Sequence, residues 1–259
     1  MRPNSGKLSG MIAPYYEEPG ITIYCADCRD VLPQIWGASL LLTDPPYGIS
    51  YRSNHNSGWR DPANVRWARS ENFPGIVGDD APLDPSHLYQ AAPLAAIFGG
   101  NYCAPALGCS RCWLVWDKRV DTAPDNQSDC ELIWTNFNAP CRIYRHLWRG
   151  IIRAGEENVS ISVKLHPHQK PIGLLQWIIR QSGIARGPVL DPYCGSGSTL
   201  VAARRLGFEA VGIEIERKYC DIAIDRLRRE ILPLEPGATP IPVRYPKRTM
   251  TSARDKRTL

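Results

Sequence analysis

Two apolar runs too short to be helices each end on an aspartate, and each aspartate opens a different turn. Residues 39–43 (Ser-Leu-Leu-Leu-Thr) lead into Asp44-Pro45-Pro46-Tyr47-Gly48. Val189-Leu190 leads into Asp191-Pro192-Tyr193-Cys194-Gly195-Ser196-Gly197. Brief aliphatic runs bounded directly by turn residues read as buried strands. Further short strands are predicted over 21–25, 95–98, 113–116, 131–135 and 208–215. Helices are predicted over 171–182, with Pro171 in the first turn, over 198–206, closed by Gly207, and over 217–230. Strands alternating with helices specify an α/β fold around a mainly parallel sheet. Such sheets bind ligands beyond the carboxyl ends of their strands, so Asp44 and Asp191 are expected to share one crevice. Residues 51–86 show no periodicity and read as a long functional loop. In 141–153, Arg142, Arg145, Arg149 and Arg153 recur at roughly helical spacing. Five prolines between Ile231 and Pro246 place the end of the folded part near 232.

Length and charge narrow the class. A chain of 259 residues suits one large domain. The net charge of +5 resides in the tail, because residues 244–259 carry six basic residues and one acid and leave 25 of each sign in the rest. A polyanion partner is therefore permitted but not demanded by charge alone. No run of about 18 apolar residues predicts a membrane span. The polar first eleven residues lack the apolar core of a signal peptide. Nine cysteines in that setting read as reduced thiols and a cytoplasmic location. The pairs Cys25/Cys28 and Cys109/Cys112 could together supply four thiolates to zinc. Their separation is far longer than in zinc ribbons and each abuts an apolar run, so buried free thiols are expected and no metal site is assigned.

The Gly195-Ser196-Gly197 turn follows a strand and opens a helix. It lacks the lysine of a nucleoside triphosphate loop, and Leu200 stands where a dinucleotide loop has its third glycine. What remains suits a small nucleoside-like ligand approaching the backbone. Glu214, at the end of the next strand, is placed to accept two ribose hydroxyls. The residues alone leave a plain strand-to-helix turn and a solvated Glu214 equally open.

In Asp44-Pro45-Pro46-Tyr47 the prolines contribute no N–H, so the turn is stiff and offers mainly acceptors. It suits a planar substrate bearing an exocyclic amino group. The lone pair of such a nitrogen is delocalised into the ring. Two acceptors on its two N–H bonds favour a pyramidal nitrogen, and Asp44 stabilises the positive charge that develops there. Tyr47 offers a ring for stacking. A base must leave the duplex to reach such a pocket. Taken alone, the segment also reads as a proline-rich turn after a strand.

Together these residues resemble the S-adenosylmethionine-dependent amino DNA methyltransferases, over most of residues 15–230. Asp44-Pro45-Pro46-Tyr47 is similar to the family's catalytic tetrapeptide. Residues 191–197 resemble its cofactor loop, with Tyr193 where phenylalanine is usual. His166-Pro167-His168-Gln169-Lys170-Pro171 resembles the segment preceding that loop. Asp27-Cys28 resembles an amino-terminal motif whose aspartate contacts adenine, with Ala26 replacing glycine. The catalytic motif precedes the cofactor motif, as in the circularly permuted beta group. The resemblance implies a seven-stranded Rossmann-like sheet with one antiparallel strand and helices on both faces. It implies S-adenosylmethionine as cofactor, held by Asp27, Lys170, Asp191, Pro192, Tyr193, Gly195, Ser196, Gly197 and Glu214. It assigns catalysis to Asp44, Pro45, Pro46 and Tyr47, with double-stranded DNA as partner and a monomer or homodimer as the assembly. An aspartate heading the tetrapeptide leans toward adenine N6, with cytosine N4 as the alternative. A nucleic-acid-binding protein that keeps the fold without catalysis is the alternative of another class.

The domain is expected to span 1–232, followed by a Pro-rich basic tail over 233–259. DNA contacts are expected from Arg52, Arg60 and Arg66 in the long loop, and from Arg142, Arg145 and Arg149 in a short recognition segment over 139–165, since arginine binds phosphates and reads guanine. So small a recognition surface implies a short target or low specificity, and a phage-type solitary enzyme. His55, His87 and His146 show no ligand spacing and receive no role. Pro140-Cys141 sits outside any motif, which leaves no nucleophilic cysteine for carbon-5 chemistry.

Overall fold

A computed structural model describes residues 11–49, 77–88, 90–120, 128–149, 152–153 and 169–229. The strands in chain order are β1 (Tyr16–Glu18), β2 (Ile21–Cys25), β3 (Leu40–Thr43), β4 (Leu94–Phe98), β5 (Cys112–Asp117), β6 (Cys130–Thr135), β7 (Arg142–Arg145), β8 (Trp148–Arg149), β9 (Ile152–Arg153), β10 (Val189–Asp191) and β11 (Ala210–Glu214). The helices are α1 (Cys28–Val31), α2 (Ala104–Leu107), α3 (Ile172–Ser182), α4 (Ser198–Arg205) and α5 (Arg217–Arg229). Among the described residues the main sheet has nine strands rather than seven, in the order β1-β2-β11-β10-β3-β4-β6-β5-β7. Two of them run antiparallel to their neighbours, β6 and the edge strand β1, where one was expected.

The central strands need no cross-strand polarity signal because both faces are covered. All four residues of β3 and all three of β10 are buried. Side chains alternate across the pleat. Leu40 and Leu42 join the core formed with α3, α4 and α5, whereas Leu41 joins Val31, Leu88, Ala95, Ile97, Leu107 and Leu190 on the other face. Helices therefore cover both faces, but α1 and α2, on the second face, are four residues each.

The extra edge strands account for the difference from seven. Among the described residues β1 is partly exposed and pairs only with β2 across the Pro19-Gly20 turn, so it carries no apolar signature. β7 overturns the helical spacing read over 141–153. Residues 142–145 pair in parallel with β5, and 148–149 form a ribbon with 152–153. Ile143 and Tyr144 favour a strand, and the β5 edge supplies the hydrogen bonds that a local helix would otherwise need. The two cysteine pairs lie on distant parts of the sheet. Cys25 ends β2, second in sheet order, and Cys112 begins β5, eighth in order, so they cannot share one ion. No described helix is long and apolar enough to cross a membrane.

Arg52, Arg60, Arg66, His55, His166, His168 and the tail 233–259 lie outside the described residues, as do 154–165 of the recognition segment.

Candidate active site

β3 and β10 are hydrogen-bonded neighbours although far apart in sequence, and their carboxyl ends bring the two aspartate turns together. The buried Thr43 hydroxyl donates to Asp191 Oδ1 at 2.8 Å and ties the strands where the turns begin. Between the turns opens a cavity of about 560 Å³. Asp27, Asp44, Pro45, Pro46, Lys170, Asp191, Pro192, Tyr193, Gly195, Ser196 and Glu214 all line it.

The glycine turn is shaped for close approach. Gly195 and Gly197 take φ of 50° and 77°, where a side chain would strain the backbone. Gly197 faces away from the cavity. A Cβ there would meet Ala223 of α5 at 2.8 Å, so this glycine seats the turn on the helix. Arg226 holds the turn from the same helix: its Nη1 donates to the Ser196 carbonyl at 2.6 Å and to the Ser196 and Ser198 hydroxyls at 3.0 Å. Glu214 accepts from the Gly195 and Glu216 backbone N–H groups at 3.0 and 2.8 Å. Burial pushes its carboxyl up against those two bonds. Asp27 caps α1 through the Arg29 N–H and binds the Arg29 guanidinium, which holds its carboxyl low. Tyr193 directs its hydroxyl to His87 Nε2 at 2.9 Å.

The second turn is also held from outside. Buried Asp79 accepts from the Gly48 and Ile49 N–H groups at 2.8 and 3.3 Å. Both oxygens of Asp44 are engaged. Oδ2 accepts from Lys170 Nζ at 2.6 Å, and Oδ1 accepts from the Tyr47 hydroxyl. Lys170 also pairs with Glu131 at 3.1 Å. Burial works against the Lys170 ammonium, but Asp44 and Glu131 outweigh it and raise its pKa. The Tyr47 ring does not line the cavity. It stacks on Tyr102 with centroids 4.9 Å apart. Arg142 and Arg145 are exposed on β7, with Arg145 3.6 Å from Asp117.

Asp79, His87, Glu131 and Arg226 carry no sequence motif, and their contacts exist only across the fold. Asp84-Pro85-Ser86-His87 does read as a capped turn, and Asp84 accepts from the Ser86 N–H at 2.9 Å.

The family described as DNA methylase, of the N6/N4 type, matches residues 115–225. A Type II methyltransferase of Streptococcus pneumoniae, M2.DpnII, is 48% identical over 271 residues, covering 89% of this chain and 98% of its own. The chain belongs to the N6/N4 amino-DNA methyltransferases. M2.LlaDCHI of Lactococcus lactis subsp. cremoris, another Type II methyltransferase, is 27% identical over 270 residues, covering 88% of this methyltransferase and 98% of itself. The solved PvuII DNA methyltransferase, described as cytosine-N4-specific, has the same fold, with a TM-score of 0.52 at 14% identity over 82% of this chain and 88% of its own.

Asp191 makes this methyltransferase's stability depend on pH. Burial raises its carboxyl from an ordinary 3.8 to about 6, although Thr199, Thr43 and the Tyr193 N–H bond to it. A raised folded-state value favours the protonated form. That stability is fully present below 3.8 and is lost as pH rises through about 6. The loss is about 3 kcal/mol. Asp191→Asn does not titrate. Its melting temperature relative to the parent protein is expected to rise between about pH 4 and about pH 7, which a thermal melt series measures. A difference that stays constant with pH would contradict the assignment.

Proposed function

We propose that this enzyme methylates the exocyclic N6 of adenine in double-stranded DNA, with the target base turned out of the helix. One arrangement carries the reading: an acceptor paired with Lys170, Asp44, stands at the wall of the same cavity that holds the glycine turn and Glu214. The cavity falls in the size range of cofactor sites, about 300–1,000 Å³. The donor set suits S-adenosylmethionine. Glu214 has acceptor capacity left for ribose hydroxyls, Asp27 can meet an adenine amino group once the exposed Arg29 guanidinium swings off it, and the Gly195 turn admits the ligand to the backbone. Bound there, S-adenosylmethionine supplies an electrophilic methyl group.

The chain's own residues do the rest. Asp44 Oδ1 accepts an N–H of the target amino group once the Tyr47 hydroxyl moves off it, while Lys170 keeps Oδ2 in place. The carboxylate then stabilises the positive charge developing on nitrogen. The prolyl carbonyls of the stiff turn offer the second acceptor. Tyr47, freed from Asp44, presents its ring to the base. Arg142 and Arg145 on the edge strand meet phosphates, with Arg149 and the long-loop arginines Arg52, Arg60 and Arg66 completing the DNA surface. The aspartate heading the tetrapeptide favours adenine.

Mass analysis of nucleosides from DNA treated with the enzyme and cofactor tests the base. N6-methyladenine is expected. N4-methylcytosine would replace the base assignment and leave the amino-methyltransferase chemistry standing. No methylated nucleoside on any duplex would overturn the reading.

A further inference from the structure

The catalytic carboxylate is the end of a buried chain of alternating charges. Asp44 Oδ2 meets Lys170 Nζ at 2.6 Å, Lys170 meets Glu131 Oε2 at 3.1 Å, and Glu131 Oε1 meets Lys118 Nζ at 3.2 Å. The four side chains come from the residue after β3, the residue before Pro171, β6 and the residue after β5. Asp44 and Lys170 are the more enclosed pair, at 14% and 10% exposure, against 24% and 21% for Glu131 and Lys118. Lys170 Nζ lies 4.8 Å from the Phe98 ring centroid, so its surroundings on that side are apolar.

Lys170 fixes Asp44 but opposes its task. An ammonium beside the carboxylate cancels much of the negative field that an increasingly positive amino nitrogen needs, and in an apolar setting that cancellation is strong. Glu131 offsets it from behind. It also holds Lys170 through the ion pair at 3.1 Å, and β6 is held on both sides by β4 and β5. Burial pushes the Glu131 carboxyl up, but Lys170 and Lys118 outweigh this and hold it below the ordinary carboxylate range.

We propose that Glu131 is a positioning residue for methyl transfer, which holds Lys170 in place and offsets its field at Asp44, with Lys118 orienting Glu131 from the outer side. This rests on the reading of Asp44 as the group that meets the target amine.

Glu131→Gln keeps the shape and removes the charge. Its kcat is expected to fall about tenfold or more, short of the loss when a direct donor is removed. KM for DNA and Kd for S-adenosylmethionine are expected to stay within about threefold, the mark of an interaction used in the transition state. In a Lys170→Gln background the same change is expected to add no further loss, because residues acting through one another are not additive. A folded Glu131→Gln enzyme with kcat within about threefold of the parent overturns the proposal, and so do losses that multiply in the double variant. If Glu131→Gln does not fold, Lys118→Met at the far end of the chain of charges takes its place. A lower kcat with unchanged cofactor Kd supports the proposal, and an unchanged kcat overturns it. Asp44→Ala separates the two readings. If that variant stays active, the role of Asp44 fails. If it is inactive while Glu131→Gln is normal, only the role of Glu131 fails.

Discussion

Asp44→Ala is expected to lower methyl transfer by about 10³-fold or more while cofactor affinity stays within about threefold. The two effects separate because the cavity has two ends. Glu214, the Gly195 turn and Asp27 are held by the Glu216 N–H, Arg226 and Arg29, none of which touches Asp44. The loss at the other end is large because the side chain removed is the acceptor for the amine and the source of the stabilising field. Lys170 is not stranded, since it keeps Glu131 at 3.1 Å, so the fold is expected to survive. Removing one partner from a buried pair costs about 3–5 kcal/mol when nothing else compensates, and here Glu131 does. Asp44→Asn is the sharper variant. It preserves volume but offers Lys170 at best a neutral oxygen and leaves no ionised acceptor. A fall of about 10²-fold or more is expected. Tritiated methyl incorporation reads the rate, and calorimetry with S-adenosylmethionine reads binding. Activity close to the parent enzyme in Asp44→Ala would sink the mechanism.

The parts of this site visible in the sequence are those whose signal is local. β3 and β10 are aliphatic runs cut off by Asp-Pro, and the glycine turn opens α4 as its spacing predicts. Glu214 sits at a strand end, where a distance along the chain translates into a place in space. The helix α5 shows its apolar face as Cys220, Ala223, Ile224 and Leu227, all buried. Signals that depend on pairing do not appear. The arginines of 141–153 fall three and four apart, which matches a helix. The backbone there joins the edge of β5 instead, and nothing in those residues names their partner strand. Glu131 and Lys118 look like solvated charges at strand ends. They are drawn to Asp44 only because β6 inserts between β4 and β5. Tyr47 shows the same limit in reverse. Its ring was expected on the target base, yet its hydroxyl rests on Asp44 and its ring on Tyr102. The tetrapeptide reveals the chemistry of the residue and not the position it holds before a base enters.

That resting position makes Gly99 a sensitive residue although it lies outside the motifs. It follows β4 with a φ of 64°, and a Cβ there would lie 2.2 Å from Tyr47 Cε1 and 2.5 Å from Cδ1 and Cζ. Gly99→Ala therefore meets two penalties. The left-handed backbone costs about 1–2 kcal/mol for a residue with a side chain. Relieving the overlap costs about 1–3 kcal/mol more, because the Tyr47 ring is backed by Tyr102 and must shift. Shifting the ring draws its hydroxyl from Asp44 and disturbs the turn that presents the carboxylate. A drop in kcat of about 10²-fold is expected, since displacements near 1 Å at a reacting centre cost that much. Cofactor affinity is expected to hold, because Gly99 does not line the cavity. Gly37→Ala isolates the backbone part. Gly37 has a φ of 81° with no atom within 4 Å of a Cβ, so it should lose stability without losing kcat. Thermal melts and turnover of the two variants side by side check this. If Gly99→Ala turns over like Gly37→Ala, the Tyr47 ring is free to move and its packing against Gly99 does not govern the catalytic turn.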